Sequence, residues 1–286
     1  MIVTATLSLG MIGAVGATLL YVVSKKFEVE EDPRIELVLE ALPSANCGGC
    51  GYAGCGGFAA ACVGVKTLDG LLCPVGGKAV MEKIGGILGI AGLSEGVEPL
   101  VAVVRCGGER NVRSKTNTYN GVQQCSIVSG LYGGETRCTF GCLGYGDCAE
   151  ACSFGAIVVN SETGLAEVDE ERCTACGACV KVCPKGIIEL RKKGPKNRRV
   201  IIPCSNEEKG ATCRKVCGRA CIGCGRCAKE CRFEAIVVDN NLARIDHTKC
   251  KLCRKCVEVC PQGIIREINF PARKKEDTKE AESLRA

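Results

Sequence analysis

Cysteines recur along this chain in runs of three at three-residue intervals, each run followed four residues later by a fourth. Cys221, Cys224, Cys227 and Cys231 are spaced C-x2-C-x2-C-x3-C. Cys250, Cys253, Cys256 and Cys260 repeat the pattern, with Pro261 after the last, and Cys173, Cys176, Cys179 and Cys183 repeat it again before Pro184. Three closely spaced thiolates can wrap three irons of one [4Fe-4S] cubane, and the fourth points away to ligate a second cluster. Zinc takes two pairs of thiolates around one tetrahedral ion and has no use for the outlier. Disulfides need an oxidising compartment. No Lys or Arg precedes Lys25, as the positive region of a secretory signal would require. The chemistry this spacing predicts is one-electron transfer.

The swapped pairing groups Cys221, Cys224 and Cys227 with Cys260, and Cys250, Cys253 and Cys256 with Cys231. Cys173, Cys176 and Cys179 pair with Cys152. Residues 142–190 and 221–268 align as an internal repeat with one short gap. The alignment puts Tyr145 where the second copy has Cys224. Cys138, four residues before Cys142, is expected to supply the lost ligand, giving a set of Cys138, Cys142, Cys148 and Cys183. Upstream, Cys47, Cys50, Cys55 and Cys73 form a further set among Gly48, Gly49, Gly51, Gly54, Gly56 and Gly57. Glycine lets backbone N–H groups approach cluster sulfurs. Cys62 is expected to be a small buried residue. Five [4Fe-4S] clusters follow. A sixth, from four of Cys106, Cys125, Cys204, Cys213 and Cys217, stands open beside structural cysteines or a zinc site; Cys217 aligns with Cys138.

The elements that must position these thiolates give an α+β chain. Ile2 to Ser24 carries no charge and Lys25-Lys26 follows at once. At 1.5 Å rise per residue that run is just long enough to span a hydrocarbon core of about 30 Å. The positive-inside rule then places the remainder on the cytoplasmic side of the cell (inner) membrane. Gly10, Gly13 and Gly16 form a small-residue stripe of the kind that lets another helix approach. Glu31 to Leu42 reads as a short amphipathic helix ended by Pro43, Leu100 to Val104 as a buried strand, and Asn111 to Gly134 as a polar linker. Ala156 to Val159 and Ala235 to Val238 are expected strands; Val180 to Cys183 and Val257 to Cys260 are expected helical turns. The expected organisation is a transmembrane helix at 1–26 and a small Cys/Gly-rich [4Fe-4S] domain at 27–95. A connecting segment at 96–136 leads into a bacterial-type 2[4Fe-4S] ferredoxin module at 137–192. A basic, Cys-containing linker at 193–217 precedes a second module at 218–270, and a disordered charged tail fills 271–286.

Composition fits a core organised by cysteine. The 286 residues include 26 Cys, one His and no Trp, and aromatic residues make up 4%. An ordinary core of this size uses more large side chains. The formal net charge of +6 is uneven, with a basic block from Arg191 to Arg199 that would steer an acidic donor or simply be a solvated loop. His247 lies outside the cysteine runs and reads as a surface residue. There is no Gly-rich strand–helix nucleotide motif and no evident acid–base pair, and no nucleic-acid partner is expected. The redox chemistry is therefore that of the clusters, with the protein supplying spacing, burial and potential tuning.

The uncharged start, the NCGGCGYAGC segment, the VVRCGG stretch, CLGYGDCAEAC and both ferredoxin modules occur in an order that resembles the B-subunit family of Rnf complexes. The resemblance covers nearly the whole chain. It implies membership of a membrane-bound, ion-translocating (Na+ or H+) ferredoxin:NAD+ oxidoreductase, [4Fe-4S] clusters, and electrons taken from soluble reduced ferredoxin. It also implies partner membrane subunits that hold flavin and NAD and form the ion path. Two other readings compete: a membrane-tethered polyferredoxin serving another reductase or hydrogenase, and a metal-binding structural module without redox work.

Overall fold

The computed structural model describes residues 2–26, 32–90, 99–131 and 134–272. The charged tail expected at the C-terminus lies almost wholly outside them. Helix α1 (Ile2–Lys26) is a single helix of 25 residues, with Val15, Leu19, Leu20 and Val22 exposed. The side chains of residues 2–9 and of Ile12 lie outside the described ones. Among the described residues no helix is long and apolar enough to cross a membrane. Only the helical part of the membrane-span expectation is therefore met.

Helices α2 (Arg34–Ala41), α3 (Gly54–Gly64) and α4 (Gly77–Leu88) form a small bundle. Their apolar faces meet in a core of Val38, Leu42, Phe58, Cys62, Leu68, Met81 and Ile84. Burying a side chain such as Phe58 or Met81 contributes about 1.5–3 kcal/mol, and this is the part of the chain most like an ordinary protein interior. Cys62 is wholly buried in that core. Gly89, at φ +66°, closes α4 in the left-handed conformation.

Strand β1 (Leu100–Val104) and α5 (Cys125–Leu131) precede the first repeat, which holds α6 (Asp147–Glu150), β2 (Ile157–Val159), β3 (Ala166–Val168), α7 (Ala178–Val182) and β4 (Ile188–Lys192). The second repeat is led by β5 (Arg199–Ile201) and α8 (Gly210–Val216). It continues through α9 (Arg226–Lys229), β6 (Ile236–Asp239), β7 (Leu242–Ile245), α10 (Lys255–Glu258) and β8 (Arg266–Ile268). Each repeat carries an antiparallel hairpin, β2 with β3 (Ile157 opposite Val168) and β6 with β7 (Ile236 opposite Ile245). Each also carries an outer antiparallel pair made with its leading strand. In the first, β1 pairs with β4 from Leu100 opposite Lys192 to Val104 opposite Ile188. In the second, β5 pairs with β8 from Arg199 opposite Ile268 to Ile201 opposite Arg266. The stretches that read as connections at 96–136 and 193–217 thus contribute a strand and a helix to each repeat.

Strand alternation joins the two repeats. Side chains on β1 point to opposite faces in turn. Ala102 enters the core of the first repeat with Ile157, Leu165, Ile187 and Ile188. Val101 and Val103, on the other face, pack on Ile201, with Ile268 alongside.

Candidate iron-sulfur centres

The short helices α6, α7, α9 and α10 each start just past a residue in the left-handed conformation, namely Gly146, Gly177, Gly225 and Arg254. That residue follows the second position of each cysteine run. The turn aims successive N–H groups inward, a concavity suited to anionic sulfur. Arg254 holds φ +71° without being glycine, a conformation that costs about 1–2 kcal/mol. Its guanidinium donates from Nε to Glu267 at 2.9 Å and lies 5.0 Å from the centre of the Phe270 ring, which offsets the strain.

Four hollows are each walled by four cysteines. Cys47, Cys50, Cys55 and Cys73 surround one; Cys152, Cys173, Cys176 and Cys179 a second. Cys221, Cys224, Cys227 and Cys260 surround a third, and Cys231, Cys250, Cys253 and Cys256 a fourth. Counted out to their open mouths the four measure about 300, 340, 360 and 350 Å³. All 26 cysteines are free of disulfides. Among the described residues no group of three His, Cys, Asp or Glu side chains is placed to hold a single metal ion. The sulfurs stand around a space, as a cubane with one thiolate per iron requires.

Backbone donors already point at the sulfurs. The N–H of Gly76 reaches Cys73 Sγ, that of Ala102 reaches Cys173 Sγ and that of Ala156 reaches Cys152 Sγ, each at 3.4 Å. Such bonds stabilise thiolate charge and are a lever on cluster potential. Burial, then the neighbouring thiols, pushes Cys148 and Cys256 up to about 12. Burial likewise pushes Cys227 and Cys179 up to about 11. Iron must displace those protons to bind. The donor set and its N–H shell fit [4Fe-4S] clusters, which supply one-electron redox chemistry when bound.

The fifth set differs from the expectation. Cys142, Cys148 and Cys183 share the core of the first repeat, whereas Cys138 packs in the core of the second. Cys125 also stands near Cys148, whose thiol is raised first by burial and then by Cys142, Cys125, Cys183 and Cys179. Cys125 opens α5, whose first turn is capped by the Asp147 carboxylate, accepting from the N–H of Cys125 at 2.6 Å and of Ser126 at 3.0 Å. That cap holds α5 against the turn where the repeat has Tyr145. Burial raises the Cys125 thiol, while backbone N–H groups of Asp147, Tyr145 and Gly146 favour its ionised form. Its sulfur thus stands beside the turn whose second cysteine Tyr145 replaces. Cys138 is turned the other way. It is buried in the core of the second repeat with Cys204, Cys213 and Cys217, and its sulfur accepts from Asn206 Nδ2 at 3.6 Å. No spacing rule could have found Cys125, which lies in what reads as a polar linker. The one local signal is Ile127, Val128 and Leu131 at helical intervals after it.

The N-terminal site and one site of the first repeat meet through backbone. A Cβ on Gly49 would sit 2.8 Å from the carbonyl oxygen of Cys176, so only glycine there lets the N-terminal loop lie on the first repeat. Cys227 and Cys256 share one buried core in the second repeat. At the far end Cys224 and Cys253 are exposed. Beside Cys250 opens a hollow, about 1030 Å³ when counted out into open solvent, walled by Arg191, Arg198, Arg199, His247 and Lys251. Arg191 is paired with Glu189, and Arg199 with Glu170. The solvent-facing positive charge around it therefore rests on residues such as the exposed Lys196 and Lys251. His247 is exposed on the rim.

Family models match three stretches of the chain. Models for a 4Fe-4S dicluster domain match residues 137–187 and 220–265, and an Fe-S cluster model matches residues 42–68. Among curated proteins, the chain is 44% identical to the B subunit of the Na+-translocating ferredoxin:NAD+ oxidoreductase complex of Acetobacterium woodii, over 90% of this chain and 75% of that protein. It is 38% identical to the B subunit of the ion-translocating oxidoreductase complex of Methanosarcina acetivorans, over 88% and 92% respectively. It is 39% identical to the B subunit of the proton-translocating ferredoxin:NAD+ oxidoreductase complex of Clostridium ljungdahlii, over 90% and 89%.

Proposed function

Because this chain belongs to the B-subunit family of the ion-translocating oxidoreductase (Rnf) complexes, we propose that it relays electrons singly from reduced ferredoxin toward the flavin- and NAD-binding subunits of such a complex. The observation that carries the reading is the series of four-cysteine hollows distributed from Cys47 in the N-terminal domain through both repeats to Cys250. The chain's own residues hold these sites in place, bury or half-bury most of their thiols and direct N–H groups at their sulfurs. The donor docks at the basic hollow beside Cys250, where the exposed Cys253 brings the nearest site to the surface. The exit is the N-terminal domain, which the sequence ties to α1.

Reduced ferredoxin mixed with the anaerobically purified chain should bleach its visible absorbance; a chain that stays oxidised overturns the relay. The combined variant Lys196→Ser, Arg198→Ser, Lys251→Ser should slow this bleaching about tenfold at low ionic strength, the low end of what steering supplies. It should match the parent at high salt, where the field is screened. An unchanged low-salt rate removes the docking site while leaving the relay standing.

The same proposal makes α1 a membrane anchor with the iron–sulfur domains on the cytoplasmic side. Its support is the absence of charge from Ile2 to Ser24, the Lys25-Lys26 pair and the exposed Val15, Leu19 and Leu20. Expressed without other subunits, the chain lacking residues 1–26 should move from the membrane fraction to the soluble one with its iron retained. A truncated chain that still sediments with membranes rejects the anchor.

A further inference from the structure

Each repeat contributes the same two features at the seam between them. A leading strand ends and, within three residues, places a cysteine: Cys106 after β1 and Cys204 after β5. A second cysteine precedes the first of the ferredoxin run by four residues: Cys138 before Cys142 and Cys217 before Cys221. The duplication therefore brings four cysteines to one place, two from each copy.

Backbone bonds close the ring. The N–H of Gly107 donates to the Pro203 carbonyl at 2.8 Å, and Ser205 Oγ donates to the Arg105 carbonyl at 2.9 Å. Arg105 Nη2 donates to the Cys204 carbonyl at 3.3 Å, so the residues flanking Cys106 and Cys204 are stitched together. The stretch 112–114 joins the other pair. Arg137 N–H donates to Ser114, Ser114 N–H to Val216, and Gly218 N–H to Val112, while Arg113 forms a bridge with Cys217. Asn206, wholly buried, reaches from the Cys204 side to Cys138 Sγ at 3.6 Å.

The sulfurs are treated alike and symmetrically. Cys142 N–H donates to Cys106 Sγ at 3.4 Å, and Cys221 N–H donates to Cys204 Sγ at 3.3 Å. These donors are equivalent residues of the two repeats. Arg113 is buried beside the group, with Nη1 donating to the Cys142 carbonyl and Nε without a partner. A buried cation with an unpaired donor calls for an anion nearby. A Cβ on Gly108 would come within 3.0 Å of Cys217 Sγ, so glycine keeps the space before that sulfur clear. Cys213 is set apart: it is wholly buried, and its S–H donates to the Glu208 carbonyl at 3.3 Å, which marks it as a thiol.

We propose that Cys106, Cys138, Cys204 and Cys217 hold an additional [4Fe-4S] cluster on the approximate twofold between the repeats, with Cys213 outside the ligand set. The site fills the interval between the set containing Cys142 and the set containing Cys221, since one N–H bond separates it from each. The inference rests on the relay reading only in taking an iron–sulfur cluster as the group bound.

The test is iron, sulfide and zinc content of the full chain purified without oxygen. The Cys106→Ala, Cys204→Ala double variant should lose about four irons from about 24, and Cys213→Ala should lose none. An undiminished iron content in the double variant overturns the site, as does one zinc per parent chain lost on substitution in place of iron. Should the double variant unfold and shed all its iron, the parent decides: about 24 irons supports the site and about 20 rejects it. A parent chain free of iron would instead sink the relay reading, which keeps the two failures apart.

Discussion

A chain carrying Cys125→Ala loses about four irons and at least about 100-fold of its ferredoxin-driven activity, the upper range for disturbing a ligand's surroundings alone. The expectation follows from where α5 is pinned. Asp147 holds the N–H groups of Cys125 and Ser126, so the sulfur at the head of α5 faces the turn of Tyr145, Gly146 and Asp147. Adding Tyr145→Cys to that chain puts the thiol back at the position Cys224 fills in the other repeat, and the four irons return. Tyr145→Cys does not restore the iron lost by Cys138→Ala, because Cys138 is buried with Cys204 and Cys217 in the core of the second repeat. Iron content counts both results. Cys125→Ala with full iron, or a Tyr145→Cys rescue of Cys138→Ala, would return Cys138 to the set with Cys142, Cys148 and Cys183.

Stripping the iron unfolds both repeats and leaves the N-terminal bundle standing. Of the 18 buried residues that make up the core of the second repeat, 8 are cysteines. Without iron they are thiols around hollows rather than a packed interior. Structural metal sites contribute on the order of 10 kcal/mol, comparable with the whole net stability of a domain at about 5–15 kcal/mol. The bundle keeps Phe58, Leu68, Met81 and Ile84 against Val38, a mainly aliphatic and aromatic core in which Cys73 is the one buried cluster-site cysteine. Far-ultraviolet dichroism after chelation should keep a helical remnant from the bundle, and proteolysis should cut first beyond residue 134. An iron-free chain with parental dichroism and melting would contradict this.

Much of the site is legible before any coordinate. The grouping of Cys221, Cys224 and Cys227 with Cys260 follows from spacing because a C-x2-C-x2-C turn can face only one way, and the hairpin strands follow from their Val and Ile runs. What escapes is whatever depends on contacts far apart in sequence. Cys138 is close to Cys142 along the chain, yet Arg137 bonds to Ser114 and turns Cys138 away. Cys125 is distant along the chain, yet the carboxylate of Asp147 brings it in. The strands β1 and β5 are readable as apolar runs, but their pairing with β4 and β8 is not. Antiparallel partners that far apart leave no local turn signal. Arg254 escapes for another reason: a residue at φ +71° without glycine is set by its partners Glu267 and Phe270, not by its own preference.

The alternation along β1 has a mechanical consequence. With Ala102 locked into one repeat and Val101 and Val103 into the other, a slip of one residue would swap the two faces, so β1 acts as a rivet through both halves. The two repeats are therefore held to one another by a strand they share. Movement between electron-carrying sites is better accommodated at the glycine-to-carbonyl contact of Gly49 with Cys176, where no strand is shared.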